Sequence, residues 1–119
     1  MEPLTRVCLA WACNAFGAEH VFNLPIRTLR CAEEAVELAQ AAGVPRATML
    51  KLVDTIYNRS PGKVHEEIGG VLMTITTICG IQGGDPSFFL TNELCRVLKK
   101  PVAEIAQRNQ DKIDLGLTA

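Results

Sequence analysis

The sequence predicts an all-α protein. Apolar residues recur at helical spacing along most of its 119 residues, and prolines and glycines divide the chain into segments of helical length. No segment alternates apolar and polar residues as a half-buried strand does, and the β-branched residues 74–78 continue a helical pattern. A hydrophobic content of 48% with 21% charged residues is ordinary for a folded globular protein. We therefore expect one helical domain over residues 1–119, long enough for a core of its own.

Prolines and glycines set the predicted helix boundaries. Pro3 suits the opening turn of a first helix and Gly17 its end, while Gly43 is expected to end the second helix. Residues 18–24 are expected to form a connection, and residues 114–119 a frayed tail. The predicted helices cover residues 4–16, 25–42, 45–57, 64–79, 88–98 and 102–113.

Composition limits the classes of function. A net charge of -1 argues against a general nucleic-acid binder, which would carry an excess of basic residues. The five cysteines are odd in number, widely spaced and without a C-x-x-C pair, which fits free thiols in a reducing cytosol. Asn14 interrupts the apolar residues 7–18, and residues 71–81 are too few to span a membrane. We expect a soluble, cytoplasmic protein that binds neither nucleic acid nor a membrane.

The predicted second helix carries three carboxylates, Glu33, Glu34 and Glu37, within five residues. Their i, i+3 and i, i+4 spacing places them on one side of the helix together with Arg30. Like charges repel at this distance, and a hard divalent cation such as Mg²⁺ needs an all-oxygen site of this kind. The alternative is the solvated face of an amphipathic helix. Arg30 in turn either contacts a phosphate group or forms a salt bridge with Glu34 at i+4.

The predicted fourth helix carries a carboxylate, Glu67, at the edge of an apolar stripe. Because nothing charged follows it until Asp85, we expect this helix to be mostly buried and Glu67 to lie where it enters the core. A buried carboxylate is costly unless it is paired or bound to a metal. Gly69 and Gly70 indicate that another helix or a ligand approaches closely at this point. The alternative is tight helix packing in which Glu67 is paired with an arginine.

The order of these residues resembles the MazG-like all-α nucleotide pyrophosphohydrolases, whose signature is E-E-x-x-E, a spacer and E-x-x-D. Glu33, Glu34 and Glu37 match the first part of this signature, and Glu67 opens the second part. The likeness extends over residues 7–112 and is strongest to a small subgroup common in bacteria and phages. The other matching segments are residues 11–17, Arg27 with Arg30, residues 53–54 and 59–62, residues 66–71, residues 91–94, Arg96 and Lys99.

This resemblance implies a MazG-like bundle of about five to six helices that is completed by forming a homodimer or homotetramer. It also implies Mg²⁺, with Mn²⁺ as a substitute, bridging the phosphates of a nucleoside triphosphate. Water then attacks between the α and β phosphates and releases a nucleoside monophosphate and pyrophosphate. By motif position, Glu34, Glu37 and Glu67 are the expected metal ligands. Glu33 is the expected catalytic residue, as a further ligand or as the group that orients the attacking water.

Two features depart from the family pattern. Gly70 stands where the family has its last aspartate, and the spacer between Glu37 and Glu67 is longer than usual. Asp54, on the intervening helix, either supplies the missing metal ligand or is a surface residue of that helix. A site with one ligand fewer binds metal weakly, uses one ion instead of two, or has lost catalysis.

Basic residues late in the chain lie where the family tends to place phosphate-contacting groups, and Arg96 and Lys99 join Arg30 as candidates. Three functions follow as hypotheses. The first is a Mg²⁺-dependent pyrophosphohydrolase of nucleoside triphosphates, favoured by retention of the four glutamates. The second is a catalytically impaired dimer that binds a nucleotide or a protein partner without turnover, favoured by Gly70. The third is a structural bundle whose glutamates only solubilise a surface.

Overall fold

A computed structural model describes residues 1–118 of the protein. All of its regular secondary structure within these residues is helical. Within these residues there is no strand, so the predicted all-α class is confirmed. The helices are α1 (Pro3–Phe16), α2 (Ala18–Val21), α3 (Leu24–Ala41), α4 (Arg46–Tyr57), α5 (Val64–Ile81), α6 (Pro86–Leu98) and α7 (Val102–Asp114).

The predicted helix boundaries agree closely with the structure, with one correction. Residues 18–21 form the short helix α2, where the sequence predicted only a connection. A helix this short has too few residues to show a helical period in its sequence. The longer helices begin and end within two residues of their predicted limits.

Local hydrogen bonds explain where α3 begins and ends. The side chain of Asn23 accepts a hydrogen bond from the backbone N–H of Ile26 at 3.2 Å, which satisfies one of the free donors of the first turn. At the other end, Gly43 adopts φ 88°, a conformation that costs glycine little. The N–H of Val44 can then reach the carbonyl of Ala39 at 2.9 Å and close the helix.

The chain divides into two compact units. The first unit contains α1, α2, α3 and α7 and is formed by residues 1–46 with the described residues from Lys100 onward. The second unit contains α5, α6 and nearly all of α4, and is formed by Ala47–Lys99. The single domain expected from the sequence stays a prediction.

The core of the first unit is small. In it, α1 packs against α2 and α7, and α2 packs against α3. The ring of Trp11 meets the ring of Phe16 edge-on, with 5.6 Å between the ring centroids. The buried apolar residues of this unit are Ala12, Ala15, Val21 and Ile105.

The second unit leaves most of its apolar side chains exposed, so the predicted burial of α5 is wrong. α5 packs against α6, where Cys79 and Leu94 are buried. Earlier along α5, Leu72 is 59% exposed, and Glu67 is exposed too. The apolar stripe shows that this face favours burial, but a sequence does not show what covers it.

None of the described helices is both long enough and apolar enough to cross a membrane.

Candidate functional site

The four candidate residues of α3 lie on consecutive turns but have different surroundings. Arg30 and Glu33 turn towards the inside of the first unit, with side chains 11% and 27% exposed. Glu34 and Glu37 lie on the exposed side of the helix. The three carboxylates therefore have different environments. Glu33 faces the other helices of the first unit, whereas Glu34 and Glu37 face the solvent.

Glu33 is held by cations from two helices. Its Oε1 lies 3.0 Å from the Nζ atom of Lys112 on α7, and its Oε2 lies 4.0 Å from Nη1 of Arg30 one turn earlier on α3. Lys112 is one of the basic residues late in the chain, and no spacing within α7 indicates that it faces Glu33. The carboxylate predicted as catalytic is thus neutralised by protein groups.

The end of α7 also supplies a partner for Arg30. Gly116 adopts φ 78°, and the N–H of Leu117 donates to the carbonyl of Lys112 at 2.9 Å, which ends α7 in a tight turn. This turn presents the carbonyl of Leu117 to Nη1 of Arg30, which donates a hydrogen bond to it at 3.0 Å. Leu117 therefore contacts both α3 and α7. The frayed tail predicted for residues 114–119 stays a prediction, and Ala119 lies outside the described residues.

A second group of polar residues, partly exposed, lies on α2, α3 and α7. The guanidinium of Arg27 stacks over the ring of Phe16, 4.9 Å from its centroid. Burial lowers the pKa of His20, and the charges of Arg27 and Arg30 lower it further. The side chain of Asn109 opposes this shift, although neither Nε2 of His20 nor Oδ1 of Asn109 makes a hydrogen bond of good geometry.

The second unit contains the remaining candidate metal ligands. Glu67 lies in the first turn of α5, where a negative charge is favoured by the helix dipole. Its carboxylate covers Gly62, at the position where a larger residue would place its Cβ. Asp54 is exposed on α4.

The candidate phosphate-binding residues of α6 are both exposed. Arg96 pairs with Glu93 one turn earlier on the same helix, through Nε at 2.9 Å and through a close contact of Nη2 with Oε1. Lys99 is the C-terminal cap residue of α6, where a positive charge complements the helix dipole.

Gly69 and Gly70 do not mark a close approach within the part of the chain that the structure describes. A Cβ added at either position would have no atom within 4 Å. The hydroxyl of Thr74 donates to the carbonyl of Gly70 at 2.7 Å, as serine and threonine often do inside helices. A side chain at residue 70 therefore has room.

The candidate carboxylates have the right donor chemistry for Mg²⁺, since hard cations prefer oxygen ligands. Within each unit by itself, however, no group of three or more His, Cys, Asp or Glu side chains among the described residues lies close enough to hold a metal ion. The residue types fit the ion, while neither unit by itself gathers three of these described residues around it.

Comparisons with protein-family models, characterised proteins and solved structures find no match to this chain. The resemblance to MazG-like enzymes therefore depends on the ordered motif residues alone.

Proposed function

We propose that this protein is a Mg²⁺-dependent nucleoside triphosphate pyrophosphohydrolase of the MazG-like type. It would hydrolyse the bond between the α and β phosphates of a (deoxy)nucleoside triphosphate, consuming one water and releasing the nucleoside monophosphate and pyrophosphate. The observation that carries the proposal is the series of acidic residues along α3, with Arg30 and Lys112 beside it. Adjacent carboxylates and cations are what a metal–polyphosphate substrate requires.

Each residue has a proposed role. Glu34, Glu37 and Glu67 bind Mg²⁺ or Mn²⁺ through oxygen, and Asp54 is the candidate for a further ligand. Glu33 orients the attacking water. The phosphate groups are contacted by Arg30, Arg96 and Lys99.

A homodimer or homotetramer is part of the proposal, because α4 and α5 expose apolar faces. Their side chains are about half exposed and leave on the order of 500 Å² of apolar surface in water. An apolar area of this size lies within the range of the largest patches of monomers, which are often functional, and it is close to the apolar share of one side of a standard protein interface. The side chains are Leu52, Val53 and Ile56 on α4, and Val64, Ile68, Val71, Leu72 and Ile75 on α5.

The cytoplasm is the proposed location. The five cysteines are free thiols, and Cys31 and Cys95 are exposed. Exposed thiols persist in a reducing compartment and are uncommon where disulfides form readily.

A second candidate function is favoured by one residue. Gly70 stands in the position of the family's last aspartate and leaves open space beside α5. With that ligand missing, the chain would be a dimer that binds a nucleotide or a protein partner without turning it over.

Pyrophosphate release from a panel of ordinary and modified (deoxy)nucleoside triphosphates tests the proposal. We expect release that requires Mg²⁺ and that Glu34→Ala and Glu67→Ala abolish. Glu19→Ala, in the first turn of α2, and Glu66→Ala, beside Glu67, are matched controls that keep activity.

The same samples separate the three hypotheses. If no substrate is cleaved but Mg²⁺ still raises the melting temperature, the chain binds without catalysis, since a ligand of the folded state stabilises it by RT ln(1 + [L]/Kd). If neither effect occurs, the chain is a structural bundle.

A further inference from the structure

The loop that leads into α5 passes close to the side chain of Glu67. Lys63 is the N-cap residue of α5, and Gly62 precedes it. A Cβ added at Gly62 would lie 3.1 Å from Cδ and 3.4 Å from Cγ of Glu67, and it would lie closer still to Oε1. Non-bonded carbon atoms prefer to be about 3.5–4.0 Å apart, so a side chain at residue 62 would displace this carboxylate. The carboxylate of Glu67 therefore lies against the backbone of Gly62.

The backbone conformation does not require glycine at residue 62. Gly62 is not one of the described glycines that have a positive φ. An alanine could therefore adopt the same conformation, and it would restrict the unfolded chain more than glycine does. What the alanine would disturb is the side chain of Glu67. The approach of this carboxylate is thus the structural reason for a glycine at this position.

The chain holds both sides of this contact close together. Pro61 fixes its own φ and stiffens the loop next to Gly62. The backbone N–H of Glu67 donates to the carbonyl of Lys63 at 2.9 Å. The neighbouring Glu66 pairs with Lys63 at 3.9 Å. Within the second unit, whose residues are all described, the carboxylate of Glu67 makes no hydrogen bond or ion pair. Both of its oxygens are therefore available to a cation.

We propose that Gly62 is a positioning residue for Glu67. Because it has no side chain, the carboxylate of Glu67 can lie against the loop, and this orientation is the one that binds Mg²⁺. A flexible glutamate loses rotamer freedom when it binds a metal, and a side chain that already lies against the backbone loses less. The role in metal binding rests on the proposed function, whereas the contact between the two residues does not.

The contact is tested without metal by a double-mutant cycle. Melting temperatures are measured in EDTA for the wild type, Gly62→Ala, Glu67→Ala and the double variant. In the Glu67→Ala background, Gly62→Ala should raise the melting temperature, because the new methyl group meets no side chain and the unfolded chain is restricted. With Glu67 present, the same change should raise it less or lower it. Glu67→Gln keeps the shape of glutamate, so in that background Gly62→Ala should act as it does in the wild type.

Metal binding is measured with Mn²⁺, whose free ion is counted by electron paramagnetic resonance. Gly62→Ala should weaken binding by about threefold to tenfold, because the displaced carboxylate must be ordered again. Gly80→Ala is the matched control, since Gly80 lies on α5 without a positive φ and a Cβ there would meet no atom within 4 Å. It should bind Mn²⁺ as the wild type does. In the Glu67→Ala background, Gly62→Ala should cause no further loss of affinity, whereas general damage to the fold would.

The outcomes separate this proposal from the proposed function. If the wild type binds Mn²⁺ and Gly62→Ala binds it equally tightly, the positioning role is overturned and the proposed function stands. If the wild type binds no Mn²⁺ at millimolar concentration, both fail. Additive melting temperatures in the cycle would mean that the side chain of Glu67 does not contact residue 62, which also overturns the proposal. An equal loss of affinity in Gly80→Ala would overturn it as well.

Discussion

The ammonium group of Lys112 on α7 lies 3.0 Å from Oε1 of Glu33 on α3. This pair joins helices that are far apart in the sequence, and both side chains are partly exposed, at 32% and 27%. An ion pair that is partly shielded from water depends on both partners, because removing one leaves the other charge without compensation. Glu33 therefore has a structural role in the first unit as well as its proposed role in catalysis.

Lys112→Met and Glu33→Gln should each destabilise the protein by about 1–3 kcal/mol, with a coupling energy of about 1 kcal/mol in a double-mutant cycle. The measurement is the free energy of unfolding in urea for the wild type, the two single variants and the double variant. Glu104 and Arg108, an exposed pair on α7, provide the matched cycle, for which we expect about 0.3 kcal/mol. Equal coupling in the two cycles would contradict a structural role for Glu33.

The lowered pKa of His20 predicts a loss of stability on acidification. Its neutral form is favoured in the folded state by burial and by Arg27 and Arg30. The unfolded chain therefore binds a proton first, and stability that is fully present above pH about 6.5 falls as the pH drops towards the lower folded pKa. Between about pH 7.5 and pH 5.5, His20→Gln should show a smaller fall in melting temperature than the wild type.

His65→Gln is the control for this prediction, because His65 is the other histidine and lies exposed on α5. It should retain the pH dependence of the wild type. If His20→Gln and His65→Gln lose it equally, His20 is not the group that titrates.

Gly70→Asp should strengthen Mg²⁺ binding. The new side chain has open space, and it adds an oxygen ligand one turn after Glu67. Without metal, the added charge should cost a few tenths of a kcal/mol by repulsion from Glu66 and Glu67. With saturating Mg²⁺, a tenfold lower Kd would add about 1.4 kcal/mol of stabilisation relative to the wild type.

Gly70→Asn separates this effect from a change in helix propensity, since asparagine has the same shape as aspartate without its charge. The comparison is the rise in melting temperature on adding Mg²⁺. An equal rise in the wild type, Gly70→Asp and Gly70→Asn would mean that residue 70 is remote from any metal.

Leu52→Glu should weaken self-association. Leu52 lies on the apolar face of α4 and is 48% exposed, so a charge there would be buried without a partner if a second copy covers the face. Sedimentation velocity should show a shift towards the monomer, by at least tenfold in the dissociation constant. Lys51→Glu, at the exposed neighbouring residue, should leave association nearly unchanged. A wild type that is monomeric at all concentrations contradicts the expectation.

The sequence predicted the long helices well because their limits are set by local chemistry. Asn23 and Pro25 begin α3, and Gly43 ends it through a positive φ that few other residues adopt easily. The helix α2 was not predicted, since four residues between Gly17 and Phe22 give no periodic signal. The ends of a long helix can therefore be predicted from single residues, whereas a helix of a single turn cannot be predicted from its sequence pattern.

The contacts of the candidate site could not be predicted from the sequence, because they join residues that are far apart in the chain. Spacing along α3 places Glu33, Glu34 and Glu37 on one side, but it does not show that Glu33 faces Lys112. In the same way, the apolar stripe of α5 predicted burial, while Leu72 remains exposed in the second unit. Both differences concern what lies opposite a helix face, which depends on packing between distant segments.

The products of nucleotide hydrolysis test the proposed function most directly. The protein is incubated with Mg²⁺ and the nucleoside triphosphate panel, and the products are separated and quantified by ion-pairing chromatography. The account predicts nucleoside monophosphate and pyrophosphate in equal amounts, with no product in EDTA or from Glu34→Ala. Nucleoside diphosphate and phosphate as products, or intact triphosphate throughout the panel, would contradict it.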